Sequence, residues 1–476
     1  MLIFILILLS LKILVLLWMV NLAPPFLAFY LGDKWNMPLD RGLRLWDERP
    51  FLGNHKTIRG IIAAILTGIV AGLLLGFSWW EGLCTGLLST LGDLLSSFIK
   101  RRSGCQSGCI VPGLDQIFEG AFPFLFLSAR FSLSVSKVVI LVIIFCVFAY
   151  IGSWFFKKLL SERPHNHYPR KNSPLIRFRE IKSCQIPYSY LDRILNFENA
   201  IYYHFLMKNT FKLLGIYNQG IHNALQLRMN YFELPLYKLP SSFENYTILF
   251  LADLHLDGLD GITECIQKLV QPLKVDLCIL GGDYRMKTYG SYQKMLLRMG
   301  KLADTIQSKD GIYAVLGNHD CIEMIPELEK RGISVLLNES EPIKRINSRI
   351  WIAGIDDPHY YQCHDLDQAF SDVPDGEFCI FVSHSPEVYQ EAAARGANLY
   401  LCGHTHAGQI QIPHIGPVFT HSKSPRRFCY GQWKYRDMIG YTSSGAGVSG
   451  VPVRFCTTGE VVHITLKNGL ITQAKD

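Results

Sequence analysis

Almost every strongly apolar stretch of this chain lies before residue 160, and that segregation limits what its first third can become. Residues 1–20 form a nearly unbroken apolar run, interrupted by Ser10 and Lys12. Further runs occupy residues 58–77, 83–99 and 135–155, with a shorter one at 117–127. A helix of about 20 apolar residues crosses the roughly 30 Å hydrocarbon core of a bilayer. About five spans are therefore expected in residues 1–160. The first run reads as a span and not a cleaved leader: no basic region precedes it, and residues 21–25 offer no small-residue cleavage site before apolar sequence resumes. The 49% apolar content and mean hydropathy of +0.17 are thus the average of two unlike parts.

Basic residues set the expected orientation. Lys34, Arg41, Arg44, Arg49 and Lys56 follow the first run, Lys100, Arg101 and Arg102 end the third, and Lys157, Lys158 and Arg163 follow the last. The turns at residues 78–82 and 132–134 carry almost no positive charge. By the positive-inside rule the three basic loops face the cytoplasm, which puts the N-terminus outside and everything after residue 160 inside. The 13 cysteines are odd in number and scattered, with Cys278, Cys379 and Cys402 inside apolar runs; this suits a reducing compartment better than a disulfide framework.

The second half has a different character. Five short segments follow one another: Asp253-Leu254-His255, Gly281-Gly282-Asp283, Gly317-Asn318-His319-Asp320, His384, and Gly403-His404-Thr405-His406. Most of them follow an apolar run of strand length, which places the polar residues on loops at strand ends. Carboxylate, amide and imidazole donors in this number suit two divalent ions, which neutralise charge on a reacting phosphoryl group and acidify a bound water. Asp283 is the natural bridge, because the Gly-Gly before it lets backbone approach closely. Asp253, His255 and His406 would complete one metal, and Asn318, His384 and His404 the other. The donor set favours Mn, Fe, Zn or Co without choosing among them. His359 and His364 have no such company and read as rim or surface histidines.

These motifs, in this order, resemble the calcineurin-like metallophosphoesterase superfamily from about residue 246 onward. The resemblance implies an α/β sandwich of two mixed sheets flanked by helices. It also implies that His319 is the substrate-binding or proton-donating histidine. Gly354-Ile355-Asp356-Asp357, His384-Ser385-Pro386, His406-Ala407-Gly408-Gln409-Ile410 and Ser444-Gly445-Ala446-Gly447 look like a membrane-associated branch, some of whose members cleave the pyrophosphate of a UDP-linked acylated glucosamine. Where that branch has Pro-Pro-Glu, this chain reads Thr457-Thr458-Gly459-Glu460.

The membrane part has a second constellation. Gly53-Asn54-His55-Lys56-Thr57 and Lys100-Arg101-Arg102 lie at the mouths of spans, Gly92-Asp93 lies inside one, and Pro112-Gly113-Leu114-Asp115-Gln116 opens the next. An ionised residue at membrane depth is expensive and usually functional. Asp93 and Asp115 are candidate catalytic carboxylates that could hold Mg²⁺ against a nucleoside triphosphate, with Lys56, Lys100 and Arg101 gripping phosphates. The blocks resemble the CDP-archaeol synthase family, relatives of the CDP-diacylglycerol synthases, over residues 20–156. That resemblance implies transfer of CMP from CTP to a lipid phosphate, with release of pyrophosphate. The bland alternative is that the cations at residues 100–102 only set topology.

Three domains are expected: a helical transmembrane bundle over residues 1–160, an amphipathic helical linker over 161–240, and the phosphoesterase over 241–476. The net charge of +7 gathers at membrane boundaries and no nucleic-acid motif is present, so the expected partner is a membrane lipid or nucleotide-linked lipid and not nucleic acid. Lys423, Arg426 and Arg427 either reach a lipid phosphate or form a solvated loop.

Overall fold

The computed structural model describes residues 2–31, 34–47, 49–105, 111, 113–156, 168–170, 173–185, 205–345, 348–417 and 419–469. Lys157, Lys158, Arg163, Pro112 and the 188–204 part of the expected amphipathic stretch lie outside them. The chain divides into two compact units, Met1–Arg163 and Pro164–Asp476.

The first unit contains helices α1 (Leu2–Leu31), α2 (Ile58–Leu75), α3 (Trp79–Arg102), α4 (Leu114–Phe131) and α5 (Val135–Phe156). Thr57 caps α2, its hydroxyl accepting from the Gly60 N–H at 3.3 Å, and Gly76 ends it in the left-handed conformation at φ 88°. Small residues let the helices close up: a Cβ at Gly82 would overlap the Gly68 carbonyl, and one at Gly92 would overlap that of Phe118. Among the described residues four helices, not five, are long and apolar enough to cross a membrane: α1, α2, α3 and α5. α4 misses because Asp115, Glu119 and Arg130 dilute its 18 residues. It nevertheless runs antiparallel beside α3 over its whole length. Lys100 meets Asp115 at 2.6 Å at one end, and Arg130 meets Glu81 at 2.9 Å at the other. α5 then returns, since the rings of Phe156 and Phe29, near the C-terminal ends of α5 and α1, lie 6.1 Å apart.

The second unit is built on two six-stranded mixed sheets. The first runs in the order Arg228–Leu236, Glu460–Asn468, Thr247–Leu251, Leu277–Leu280, Ile312–Ala314, Ile333–Val335, and only the pairing of Glu460–Asn468 with Thr247–Leu251 is antiparallel. The second runs Gly431–Tyr435, Met438–Thr442, Leu399–Cys402, Cys379–Val382, Ser348–Gly354, Glu339–Arg345, parallel at its centre and antiparallel at both edges. Central strands such as Leu277–Leu280, Cys379–Val382 and Leu399–Cys402 are buried at every residue, as parallel strands covered on both faces must be. Ile248, Phe250, Ile279, Ile352, Ile380 and Leu401 pack between the sheets. Helices Ile262–Val270 and Gln293–Ala303 cover the outer face of the first.

Two expectations are corrected here. Residues 228–236 are not part of a helical linker: Arg228–Leu236 is a strand in parallel register with Glu460–Asn468, so the sheet begins well before residue 241. Its edge position tolerates the polar Arg228, Asn230 and Glu233 among its apolar residues, and the partner that stabilises it lies more than 200 residues away. The cysteines are not all free either, since Cys184 is joined to Cys321 across 137 residues. The same early segment is tied down by Arg170, fully buried, which donates to Asp356 at 2.7 Å and to Glu180 at 3.2 Å.

Candidate functional site

Five strands of the two sheets each deliver one of the expected ligands past their carboxyl ends: Asp253 after Thr247–Leu251, Asp283 after Leu277–Leu280, Asn318 after Ile312–Ala314, His384 after Cys379–Val382 and His404 after Leu399–Cys402. Asp253, His255, Asp283, His404 and His406 all have positive φ, between 40° and 74°. Non-glycine residues hold that conformation only where the surroundings impose it, and such strain gathers at working sites. Gly282 at φ 89° makes the approach possible: a Cβ there would stand 2.8 Å from both Gly317 N and His384 Nδ1.

The side chains form two adjoining groups. In one, His255 Nε2 lies 3.1 Å from His406 Nε2, and His406 Nε2 lies 3.7 Å from Asp253 Oδ1. In the other, Asn318 Oδ1 lies 3.0 Å from His384 Nε2 and 2.9 Å from His404 Nδ1. Asp283 stands between them, its Oδ2 3.4 Å from His384 Nε2 and 3.8 Å from His255 Nε2. All seven expected metal-ligating residues are therefore brought together.

Backbone carbonyls behind the rings fix which ring nitrogens face inward. His255 Nδ1 donates to Arg285 O at 2.8 Å, His384 Nδ1 to Gly281 O at 2.9 Å, and His404 Nε2 to His421 O at 3.1 Å. A carbonyl can only accept, so these nitrogens carry the protons and leave lone pairs at His255 Nε2, His384 Nε2 and His404 Nδ1. Asp320 fixes the loops, accepting from Asp283 N at 2.7 Å, Tyr284 N at 2.9 Å and Gly317 N at 2.9 Å. His319 Nδ1 donates to Met286 O at 2.6 Å and turns its Nε2 toward Asp283, 3.8 Å from Oδ2.

The electrostatics call for added positive charge. Burial pushes the Asp253 carboxyl up to about 7, with Asp283 adding to the push and His384 opposing it. Burial and the neighbouring His319 push His255 down to about 4. Burial pushes His384 down, but the Asp283, Asp253 and Asp357 carboxylates outweigh it and raise it to about 10, so the Nε2 that faces Asp283 takes up a second proton unless a cation takes that place. Two divalent cations among these lone pairs would satisfy the carboxylates and the neutral imidazoles at once, so the donor set fits a two-metal centre.

Three contributors carry no sequence signal. Arg285, fully buried, donates to His319 O and, at 3.0 Å, to Ser183 O. Arg454, also fully buried, gathers the carbonyls of Ser444, Gly445 and Gly447 beneath Asp253. His359, read as a rim residue, has its ring centroid 4.3 Å from that of His404, and its Nδ1 lies 2.8 Å from Glu387 Oε1.

The first unit holds its own candidate site, a cavity of about 760 Å³ whose walls include Lys56, Asp93, Lys100, Arg101, Asp115 and Glu119. Lys56 Nζ lies 2.6 Å from Asp93 Oδ1, and Lys100 meets Asp115 at 2.6 Å. Arg101 is turned to the Cys105 carbonyl at 2.7 Å. All five expected residues line this one space, which also reaches Ser153 and Phe156 of α5.

Comparisons with known proteins match each of the two regions to a family. Residues 246–408 match the calcineurin-like phosphoesterase family, and residues 3–161 match the CDP-archaeol synthase family. The Escherichia coli phosphodiesterase YaeI is 29% identical over 234 residues, 46% of this chain and 82% of that protein. A Danio rerio transmembrane protein with metallophosphoesterase domain is 26% identical over 275 residues, 54% of this chain and 60% of the relative. The CDP-archaeol synthase of Methanopyrus kandleri is 44% identical over 92 residues, 18% of this chain and 53% of the relative. The chain is thus a membrane-associated metallophosphoesterase by its C-terminal domain, and that calcineurin-like domain is fused to an N-terminal CDP-archaeol synthase-like domain.

Proposed function

We propose that the chain hydrolyses a lipid-linked phosphate or pyrophosphate at the cytoplasmic face of a membrane, and that its membrane domain transfers a cytidylyl group from CTP to a lipid phosphate. The observation that supports the hydrolase is the set of inward lone pairs at His255, His384 and His404, each imposed by a backbone carbonyl behind the ring.

Asp253, His255 and His406 would hold one divalent ion, Asn318, His384 and His404 a second, and Asp283 would bridge them. Ions bound there supply neutralising charge for the phosphoryl oxygens and acidify water. The protein's own residues do the rest. Asp320 and the Gly282 turn keep Asp283 in place, so the bridging carboxylate needs no rearrangement as charge develops. His319, held by the Met286 carbonyl at Nδ1, points Nε2 at the cleft, where it would donate a proton to the leaving oxygen or bind a phosphoryl oxygen. Asp283→Ala is expected to lose both bound metal and phosphodiesterase activity while the protein still inserts; metal analysis together with turnover of bis(p-nitrophenyl) phosphate reads both. Retained activity would refute the bridge.

The transferase reading rests on the cavity of about 760 Å³. Its two Lys–Asp pairs hold the charges needed to grip nucleotide phosphates and, through Asp93 and Asp115, Mg²⁺. Cleaving the CDP-lipid made in the first unit would consume its product to no end, so the hydrolase acts on a different lipid phosphate or nucleotide lipid.

A further inference from the structure

The hairpin Gln411–Ile412 / Gly416–Pro417 leaves the metal centre directly: Gln411 Nε2 donates to Ala407 O at 2.8 Å, and the irregular segment beyond it includes His421, whose carbonyl orients His404. The hairpin and the segment just beyond it show apolar side chains to solvent, with Ile412 45%, Ile415 70% and Phe419 51% exposed. The turn after it is basic: Lys423, Arg426 and Arg427 follow within eight residues of Phe419, and the carboxylate beside them, Glu387, is largely buried against His359 and accepts from the Lys423 N–H at 3.1 Å. Lys423, Arg426 and Arg427 are exposed, and so is Tyr430, an amphipathic ring beside them.

We propose that this hairpin and the basic turn after it dock on a bilayer surface containing anionic lipid, so that a phosphoester held in that surface reaches the metal centre; the proposal rests on the hydrolase reading above. Apolar residues ringed by cations are the composition of a segment that settles at the headgroup boundary. Each nearby cation adds attraction to anionic headgroups. Three apolar side chains are too small a patch for a stable protein interface, which buries about 800 Å² per partner. They suffice for a domain that membrane-crossing helices already hold at the bilayer, because the second contact is then intramolecular. The His421 carbonyl makes the docking consequential, since the segment that meets the lipid also sets the tautomer of a ligand histidine.

The test places full-length Ile415→Trp in nanodiscs of phosphatidylcholine and phosphatidylglycerol with brominated acyl chains. The fluorescence of the added tryptophan, taken as the difference from the parent protein, is expected to be quenched, and less so at high salt or without phosphatidylglycerol. No quenching overturns the docking, including the case where a protein covers the tip instead. A second variant, Ile412→Ser with Ile415→Ser and Phe419→Ser, is expected to hydrolyse soluble bis(p-nitrophenyl) phosphate at the parent rate. On UDP-diacylglucosamine in phosphatidylglycerol vesicles it should be slower by about tenfold or more, as loss of an interfacial anchor would produce. Equal loss on both substrates assigns the hairpin to the catalytic scaffold and overturns the proposal. If the parent hydrolyses neither substrate while quenching is intact, the docking stands and the phosphoesterase reading fails.

Discussion

Arg454→Met removes a guanidinium that touches no expected ligand side chain yet holds the floor of the metal centre. Its Nη2 donates to Ser444 O at 2.7 Å, Gly445 O at 3.0 Å and Gly447 O at 2.7 Å, in a loop whose Gly447 N–H in turn donates to Asp253 O at 2.7 Å. Burial pushes the group down only to about 10, so it is charged at neutral pH. Methionine fills similar volume but leaves the buried carbonyls of Ser444 and Gly447 without a donor, at about 1–3 kcal/mol each, while Gly445 O keeps only the Glu460 N–H at 3.1 Å. Relief of the buried charge returns part of this, so the net loss expected is about 3–5 kcal/mol, the range for breaking a buried charge network by removing one member. Against a typical stability of about 5–15 kcal/mol the variant still folds. Chemical denaturation of the detergent-solubilised protein gives the loss, and metal analysis after dialysis gives the second readout: reduced metal content, because Asp253 and the His406 backbone lose their support. Arg454→Lys is expected not to rescue, since one ammonium cannot serve three carbonyls in the guanidinium's geometry. An unchanged denaturation midpoint with full metal content in Arg454→Met would refute this account.

Further outcomes follow from single contacts. Gly317→Ala puts a Cβ onto the Asp283 carboxylate, so metal content should fall although no ligand is altered, and unchanged content would count against Asp283 as the bridge. Asp93→Asn frees Lys56 from its partner and should abolish CTP-dependent labelling of lipid while leaving phosphodiester hydrolysis intact; equal labelling would reduce the membrane cavity to a binding site. Reducing the Cys184–Cys321 bond, or replacing Cys184→Ser, should make residues 181–185 more susceptible to proteolysis, since Glu180 stays paired with Arg170 whereas the residues after it lose their covalent tie to Cys321. Equal digestion of oxidised and reduced protein would show that the bond does not hold the segment.

The residues expected as metal ligands were legible because each stands within four residues of a strand end, in a short motif whose chemistry is unusual outside a metal site. What supports them was not. Arg454 and Arg285 are ordinary arginines in sequence, and their roles exist only once distant carbonyls converge on them. The expected domain boundary at residue 241 leaves out the strand Arg228–Leu236, because its parallel partner is the far Glu460–Asn468 and local spacing cannot report a pairing of that range. Cys184 and Cys321 failed to stand out for the same reason. In the membrane unit the charged blocks pointed correctly to one another, yet the short fourth run understated α4, whose polar residues face a cavity and lower its hydropathy.

That helix decides the topology, and the decision can be tested. Counting only helices that qualify by hydropathy gives four crossings and would leave the N-terminus and the phosphoesterase on the same side. The geometry favours a fifth. Phe131 at the end of α4 lies 5.8 Å from Phe77, beside the α2–α3 turn, whereas Asp115 at its start lies against Lys100. α4 therefore covers the same height as α3, and α5 brings the chain back to the end where Lys56, Lys100 and Phe156 share a cavity. Five crossings would end α5, at Phe156, on the side of that cavity mouth, which the positive-inside rule expects to be the cytoplasmic side. Alkaline phosphatase fused after residue 78 or residue 133 should then be active outside, and green fluorescent protein fused after residue 476 should fluoresce inside. An active C-terminal alkaline phosphatase fusion would mean that α4 does not cross. The two catalytic units would then face opposite leaflets, and the Cys184–Cys321 bond would sit in an oxidising compartment, where structural disulfides belong.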